Sequence, residues 1–404
     1  MYCRVPFNEI NQLRILRLLR LHPGISRAEI VRQTGLGKAT VSTIVAELIA
    51  QGIVSETAAT ARSRGVGRRP VELRLEGTTH LAIGVELTGN ECLATLTDMY
   101  ASPLRFVGYP MPDCSVDTSV MLVARAVEEL IRGHDLGRVL GVGVGVPGPV
   151  DSDRQRVIQA ENLGWTDVPL GGLLSGQLGK PVIVVKRQNA GALGEYWYGA
   201  GRGKSSVLYV SVGVGIGSGM IVRGELYEGV SGSAGEIGHI TIDPEGHRCK
   251  CGNIGCLETL ASGPAMAVRA RELIKHGRSS CLVDWTKGVL EAITARMVLD
   301  AAARGDPLAV EVAQEAAGYL GIALATAVNL LNPSVVVIGG EVLALGELYL
   351  APIRQVVRSR SFSISVRAAD IVLSPLGRRA APIGAATLAI DRFFAMPGIA
   401  SVGW

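Results

Sequence analysis

Gly235-Glu236-Ile237-Gly238-His239-Ile240-Thr241-Ile242-Asp243-Pro244-Glu245-Gly246-His247-Arg248-Cys249-Lys250-Cys251-Gly252-Asn253-Ile254-Gly255-Cys256-Leu257-Glu258 is the stretch on which the reading of this 404-residue chain turns. Its end holds Cys249, Cys251 and Cys256 in a C-x-C-x4-C spacing interrupted by Gly252 and Gly255, while Cys3, Cys92, Cys114 and Cys281 are scattered. In a reducing compartment such a cluster points to a metal and not to a disulfide framework. The glycines let the loop fold three thiolates around one ion, and one imidazole completes a tetrahedral Cys3His zinc site. Both His239 and His247 are near enough in sequence to supply it. With four protein ligands no position remains for an activated water, so the expected Zn2+ is structural.

Upstream, the first 76 residues read as a separate basic head. They carry 12 Lys and Arg against 6 Glu and no Asp, a formal +6; the remainder has 28 basic against 30 acidic residues, or −2, within a total of +4. Asn8–Leu21 has helical apolar spacing through Ile10, Leu13 and Leu16, widened by Leu18 and Leu19, with Arg14, Arg17 and Arg20 elsewhere and Pro23-Gly24 as its stop. Ser26-Arg27-Ala28-Glu29 is a capping-box pattern for a short second helix that gives way at Thr34-Gly35-Leu36. A third helix opens near Gly37-Lys38, carries Val41, Ile44, Val45 and Leu48 on one stripe, and stops at Gly52. Helix, short helix, glycine turn, helix is the helix-turn-helix layout. Lys38, Thr40, Ser42 and Thr43 then fall where a recognition helix meets base edges and phosphates. Ile53–Glu56 and Val71–Leu75 alternate as the strands of a wing. Between them stand Arg62, Arg64, Arg68 and Arg69 without an acid, and Gly67-Arg68-Arg69-Pro70 resembles segments that lie in a minor groove. Double-stranded DNA is the partner this head implies.

From His80 onward strands alternate with helices. Leu81–Glu86, Leu140–Val146, Pro181–Val185 and Ser334–Ile338 read as strands, Val120–Ile131, Asn189–Tyr198 and Ala309–Leu331 as helices, and Val207–Gly219 as a glycine-laced hairpin. Hydrophobic residues at 48% and charged residues at 19%, with 51 glycines, fit a folded α/β protein and exclude a disordered or collagen-like one. Met1–Glu9 shows no apolar run behind a basic start, and the longest apolar windows, Val207–Val222 and Gly318–Leu331, are shorter than the roughly 20 residues of a membrane span. A cytoplasmic protein without membrane contact is expected.

Four ordered motifs carry a resemblance: Gly213-Val214-Gly215-Ile216-Gly217, Gly235-Glu236-Ile237-Gly238-His239, the Cys249–Glu258 cluster, and Asn332-Pro333 followed by Ile338-Gly339-Gly340. Together they resemble the ROK family, which unites repressors, open reading frames and sugar kinases on an actin-like ATPase fold. The likeness runs from about Leu81 to Phe394, and the helix-turn-helix ahead of it matches the repressor branch, of the xylose and N-acetylglucosamine type. The resemblance implies a winged helix-turn-helix over 1–76 and a two-lobed α/β body. A small lobe would span 77–185 with a helix returning at 382–395, and a large lobe with the zinc loop 186–381. It further implies that His239 is the fourth metal ligand and that Glu236, His239 and Glu258 bind sugar hydroxyls.

Two departures from the kinase members stand out. Where they carry an Asp-x-Gly-x-Thr phosphate loop, this chain has Glu86-Leu87-Thr88-Gly89-Asn90. Where they carry Asn-Asp-Ala-Asn, with the Asp as general base for the sugar hydroxyl, it has Lys186-Arg187-Gln188-Asn189. A guanidinium cannot accept a proton at neutral pH, and loss of a positioned base alone costs about 10²–10⁴ in rate. The chain is therefore expected to be no enzyme but a repressor of carbohydrate-metabolism genes, a homodimer or homotetramer. The alternatives are a sugar kinase with a DNA-binding head and an effector-independent regulator or activator. Lys186 and Arg187 also bear on the effector: an anionic sugar phosphate held by Arg187, an Arg187 paired with Glu236 or Glu258 in an effector-blind protein, and a neutral sugar all remain open.

Overall fold

The computed structural model describes residues 7–58, 71–77 and 79–394. The head is built from α1 (Phe7–Leu21), α2 (Arg27–Thr34) and α3 (Lys38–Ala50), followed by the antiparallel pair β1 (Val54–Ala58) and β2 (Val71–Leu75). Ser26 caps α2 by accepting the Glu29 N–H at 3.3 Å, and Gly35 ends it in the left-handed conformation at φ 70°. Ile15, Leu16 and Leu19 of α1, Ile30 of α2, and Val41, Ile44, Val45 and Leu48 of α3 are all buried. The buried face of α1 differs from the expected stripe: Leu13 and Leu18 are half-buried, whereas Arg20 is buried. The reason is a carboxylate, Asp391, whose Oδ1 accepts from Arg20 Nη1 at 3.1 Å. The arginines expected in the wing, Arg62, Arg64, Arg68 and Arg69, lie outside the described residues.

The chain continues through β3 (Leu81–Leu87), β4 (Glu91–Thr97), β5 (Pro103–Pro110), α4 (Val116–Leu130), β6 (Val139–Val146), β7 (Val157–Ala160), β8 (Trp165–Val168), α5 (Leu170–Leu178), β9 (Val182–Lys186) and α6 (Arg187–Tyr198). Then follow β10 (Val207–Val212), β11 (Ile216–Val222), β12 (Glu225–Tyr227), α7 (Leu257–Ala261), α8 (Gly263–Lys275), α9 (Leu282–Trp285), α10 (Ala295–Ala303) and α11 (Pro307–Leu331). The last elements are β13 (Val335–Gly340), α12 (Glu347–Arg360), α13 (Ser363–Ala368), β14 (Asp370–Leu373) and α14 (Ala380–Phe394). Contacts divide the chain into two compact units, one up to Arg187 and again from Pro382, the other Gln188–Ala381.

Each unit has a five-stranded sheet of the same design. In the first the order is β5-β4-β3-β6-β9, with two antiparallel pairings and then two parallel ones; in the second, β12-β11-β10-β13-β14 repeats that scheme. Parallel neighbours need crossover connections, and the helices α4, α5, α11 and α12 supply them. Strand β6, Val139–Val146, is buried throughout and alternates valine with glycine. The glycines are required by α14: a Cβ on Gly84 of β3 would stand 1.8 Å from Pro382 O, and one on Gly143 of β6 would stand 2.0 Å from Ala385 O. Backbone thus lies directly on backbone.

In the second unit the alanine-rich α11 forms the centre of the core, with Ala309, Ala313, Ala317, Leu320 and Leu324 fully buried. Its 25 residues are long and apolar enough to cross a membrane, in contrast to the shorter window expected, but 61% of that window is buried inside the unit. Tertiary burial explains its composition.

Candidate metal centre and effector site

The segment from Gly235 to Glu258 folds as a knuckle on the second unit's sheet. Gly235, at φ +85°, and Gly238 dock against β11: Cβ atoms there would lie 2.4 Å from Ser218 O and 2.1 Å from Ile216 O. Ser218 answers with two donations to Gly235 O, from its N–H and its hydroxyl, both at 2.9 Å. A short turn of helix then presents His239. Beyond it the chain doubles back through bridges Thr241–Cys256 and Arg248–Ile254. Gly255 is the pivot, at φ +64°, where a Cβ would meet Asp243 O at 1.5 Å. Its N–H donates to His247 O at 2.9 Å, and its carbonyl accepts from Ile242 and Asp243 at 2.8 and 3.2 Å.

This path brings His239, Cys249, Cys251 and Cys256 together with one ligand atom of each within 4.8 Å of the others. Cys249 Sγ lies 3.7 Å from His239 Nδ1, and Cys251 Sγ lies 3.7 Å from Cys256 Sγ. A tetrahedral zinc with sulfur at about 2.3 Å and nitrogen at about 2.05 Å requires sulfurs about 3.8 Å apart and sulfur and nitrogen about 3.6 Å apart. The donor set therefore fits such an ion. His247 is exposed and outside the group, so of the two histidines it is His239 that the fold brings to the thiols. Nδ1 is the nitrogen turned to the sulfurs, leaving Nε2 on the far side of the ring. Burial pushes the Cys256 thiol up to about 12, helped by hydrogen bonds to Cys251 and Cys249, so an incoming ion must displace protons. Sequence reading missed Asn253, whose Nδ2 donates to Thr241 Oγ1 at 3.0 Å and His239 O at 3.3 Å and ties the two arms of the knuckle.

The residues expected to meet a sugar stand beside the knuckle. Glu258 opens α7 two residues after Cys256, and its Oε2 accepts the Ile216 N–H at 2.9 Å, so one of its oxygens is already engaged by β11. Glu236 is half-buried and immediately precedes the turn carrying His239. Asn189 is fully buried; its Nδ2 donates to Glu228 Oε1 at 3.3 Å while its Oδ1 has no hydrogen-bond partner among the described residues.

Lys186 and Arg187 belong to the other unit, at the end of β9 and the start of α6. Lys186 is 3% exposed. Arg187 pairs with Glu86, with Nη1 3.2 Å from Oε1 and both side chains largely buried. The acid in the phosphate-loop position and the arginine in the base position thus neutralise each other, a pairing across 101 residues that spacing does not reveal. In the head, Lys38, Ser42 and Thr43 are exposed and Thr40 is half-buried, all of them outside the buried stripe of α3.

Residues 82–392 match the ROK family and residues 8–69 the MarR family. The chain is 34% identical to the xylose repressor of Caldicellulosiruptor bescii over 393 residues, 96% of this chain and 97% of that one. It also resembles the crystal structure of a ROK family transcriptional regulator, a homolog of the Escherichia coli MLC protein, with TM-score 0.81, 29% identity and 96% of each chain covered. A ROK family glucokinase from Streptomyces griseus, solved with glucose and AMPPNP, superimposes with TM-score 0.70 and 35% identity over 76% of this chain and 98% of its own. With the family pattern running through 82–392 and a relative matched along nearly its full length, the chain belongs to the ROK family.

Proposed function

We propose that the protein is a DNA-binding transcriptional repressor of carbohydrate-metabolism genes whose operator affinity responds to a sugar bound in the body. The observation that carries this is the Arg187–Glu86 pair in a chain that also has a winged head. A phosphoryl-transfer site needs a carboxylate free to take the hydroxyl proton and a phosphate loop that welcomes anions. Here a guanidinium occupies the first place and is bound to the acid of the second. Phosphoryl transfer is lost, and the body serves as a sensor.

The head over 1–76 would place Lys38, Thr40, Ser42 and Thr43 of α3 in a major groove, with Arg62, Arg64, Arg68 and Arg69 reaching the adjoining minor groove. The small lobe, expected over 77–185 with 382–395, takes in Lys186 and Arg187 as well, and the large lobe, expected over 186–381, then starts at Gln188. A homodimer or homotetramer presents two heads to a palindromic operator in the cytoplasm. Zn2+ on His239, Cys249, Cys251 and Cys256 fixes the knuckle and, by holding Nδ1, leaves Nε2 to the effector. Glu236 and Glu258 accept from vicinal hydroxyls. Because Arg187 already holds Glu86, a neutral sugar is favoured over one gripped through phosphate by Arg187 and Lys186. Calorimetry with matched neutral and phosphorylated sugars tests this, and heat from the phosphorylated form alone overturns it. ATP turnover with any sugar above an Arg187→Ala control would restore the kinase alternative, and sugar-insensitive operator binding the effector-independent one.

A further inference from the structure

The first unit contains a buried contact that neither the metal centre nor the sugar residues explain. Asp391, near the end of α14, is 6% exposed and meets two arginines of α1. Arg20 Nη1 donates to its Oδ1 at 3.1 Å; Arg17 Nε and Nη2 both reach its Oδ2 at 3.2 Å. Arg17 and Arg20 are three residues apart and share a helix face. The Arg20 side chain is 2% exposed, so this is no solvated surface pair. A carboxylate buried between two guanidinia is strongly held, and removing it takes from Arg20 a charge-assisted bond in a nearly water-free place.

A second tie joins head and body at the linker. Tyr100 Oη donates to Leu75 O at 3.0 Å, and Met99 N–H to Gly77 O at 3.0 Å, fastening the end of β2 to the β4–β5 turn. One tie alone would let the head swivel about the linker. The tie on α1 fixes its rotation. At its root α14 lies backbone to backbone on Gly84 of β3 and Gly143 of β6, with no side chain between to absorb a shift. The helix enters the first unit at Pro382, two residues past its start, and runs nine residues more, about 13.5 Å, to Asp391. Strand β3 also carries Glu86 and through it Arg187, where the chain leaves that unit.

We propose that Asp391 is the positioning residue through which the body sets the orientation of the DNA-binding head: α14 acts as a stiff lever, and Arg17 and Arg20 are its grip on α1. The coupling rests on the operator-binding function proposed above. Lever and head move together, so the body dictates which half-site spacing the two recognition helices of an oligomer can meet.

Full-length protein carrying spin labels on keto amino acids at Glu47 of α3 and Met121 of α4, both exposed, tests the grip without touching the cysteines. The wild type should give one narrow distance distribution, Asp391→Ala a broad one, and Asp391→Glu a narrow one again. A narrow distribution in Asp391→Ala overturns the proposal. Hydrogen exchange in α2 and α3 checks that the head stays folded; if it does not, the isosteric Asp391→Asn takes the place of Asp391→Ala. The second measurement uses duplexes that the wild type selects from a random library, then respaced by a few base pairs between half-sites. Respacing should weaken wild-type binding about 5–150-fold, the usual range of allosteric coupling, and Asp391→Ala binding hardly at all. Retained discrimination in Asp391→Ala overturns the lever. A library that yields no preferred sequence refutes the operator function instead, and the distance measurement then decides the grip by itself.

Discussion

Gly255→Ala tests the knuckle at its tightest point. At φ +64° a Cβ costs about 1–2 kcal/mol in backbone conformation alone. The larger effect is steric: the Cβ would stand 1.5 Å from Asp243 O, less than half an ordinary contact, so backbone must move by well over an ångström. That movement breaks the three bonds Gly255 makes to His247, Ile242 and Asp243, at about 0.5–1.5 kcal/mol each. Gly252 supplies the comparison. It sits at φ +95° with nothing within 4 Å of its Cβ position, so Gly252→Ala carries backbone strain only, about 1–3 kcal/mol. Because the three sulfurs and Nδ1 converge only in this loop conformation, the strain is drawn from metal binding. At 1.4 kcal/mol per factor of ten, Gly255→Ala should weaken zinc by two or more decades and Gly252→Ala by about one. Competition against a chromogenic chelator on the full chain measures both. Equal losses in the two variants, or zinc affinity unchanged in Gly255→Ala, would refute the geometry argued for the site.

Arg187→Ala removes the guanidinium from the largely buried Glu86 and should lower stability by about 1.5–3 kcal/mol in urea unfolding, with Arg187→Lys losing less and neither variant gaining ATP turnover. Lys38→Ala should weaken binding to all duplexes alike and reduce the slope of log affinity against log salt by about 1, as expected for one phosphate contact. Acid should loosen the linker that joins head and body. Burial, with Arg138 beside it, holds the His80 imidazole below its ordinary value of 6.5. The folded state therefore binds this proton less readily than the unfolded chain, so the stability from the neutral ring is present above that value and is lost as pH falls through the lowered one. His80→Gln should shrink the drop in thermal midpoint between pH 7.5 and pH 5, and an unchanged drop would count against that assignment.

The parts legible in the sequence are those encoded locally. The Ser26–Glu29 capping box, the Gly35 turn and the stripe of α3 are short-range signals, and the winged helix-turn-helix and ROK architecture follow from them and from ordered motifs. Boundaries shifted where a cap was overlooked: α4 begins at Val116, not Val120, because Ser115 accepts the Thr118 N–H. The metal group lies within 18 residues of chain, and its spacing narrowed the ligands to two histidines; only the doubling back at Gly255 chose His239. What spacing cannot show is a partner set by tertiary register. Glu86 meets Arg187 across two neighbouring parallel pairings of one sheet, and Asp391 meets Arg17 and Arg20 across more than 370 residues. Arg20 reads in sequence as a solvated charge on the polar side of α1, and the carboxylate that buries it is invisible until α14 is in place.

The central claim is that a sugar-responsive body without phosphoryl transfer governs a DNA-binding head. Fluorescence anisotropy of the intergenic duplex upstream of the protein's own gene, titrated with full-length protein at moderate salt and then with a panel of sugars and sugar phosphates, tests it most directly. Retention should depend on sequence, with a loss of affinity of about 5–150-fold with one class of sugar. Equal retention of a scrambled duplex, unmoved by every sugar, would contradict it.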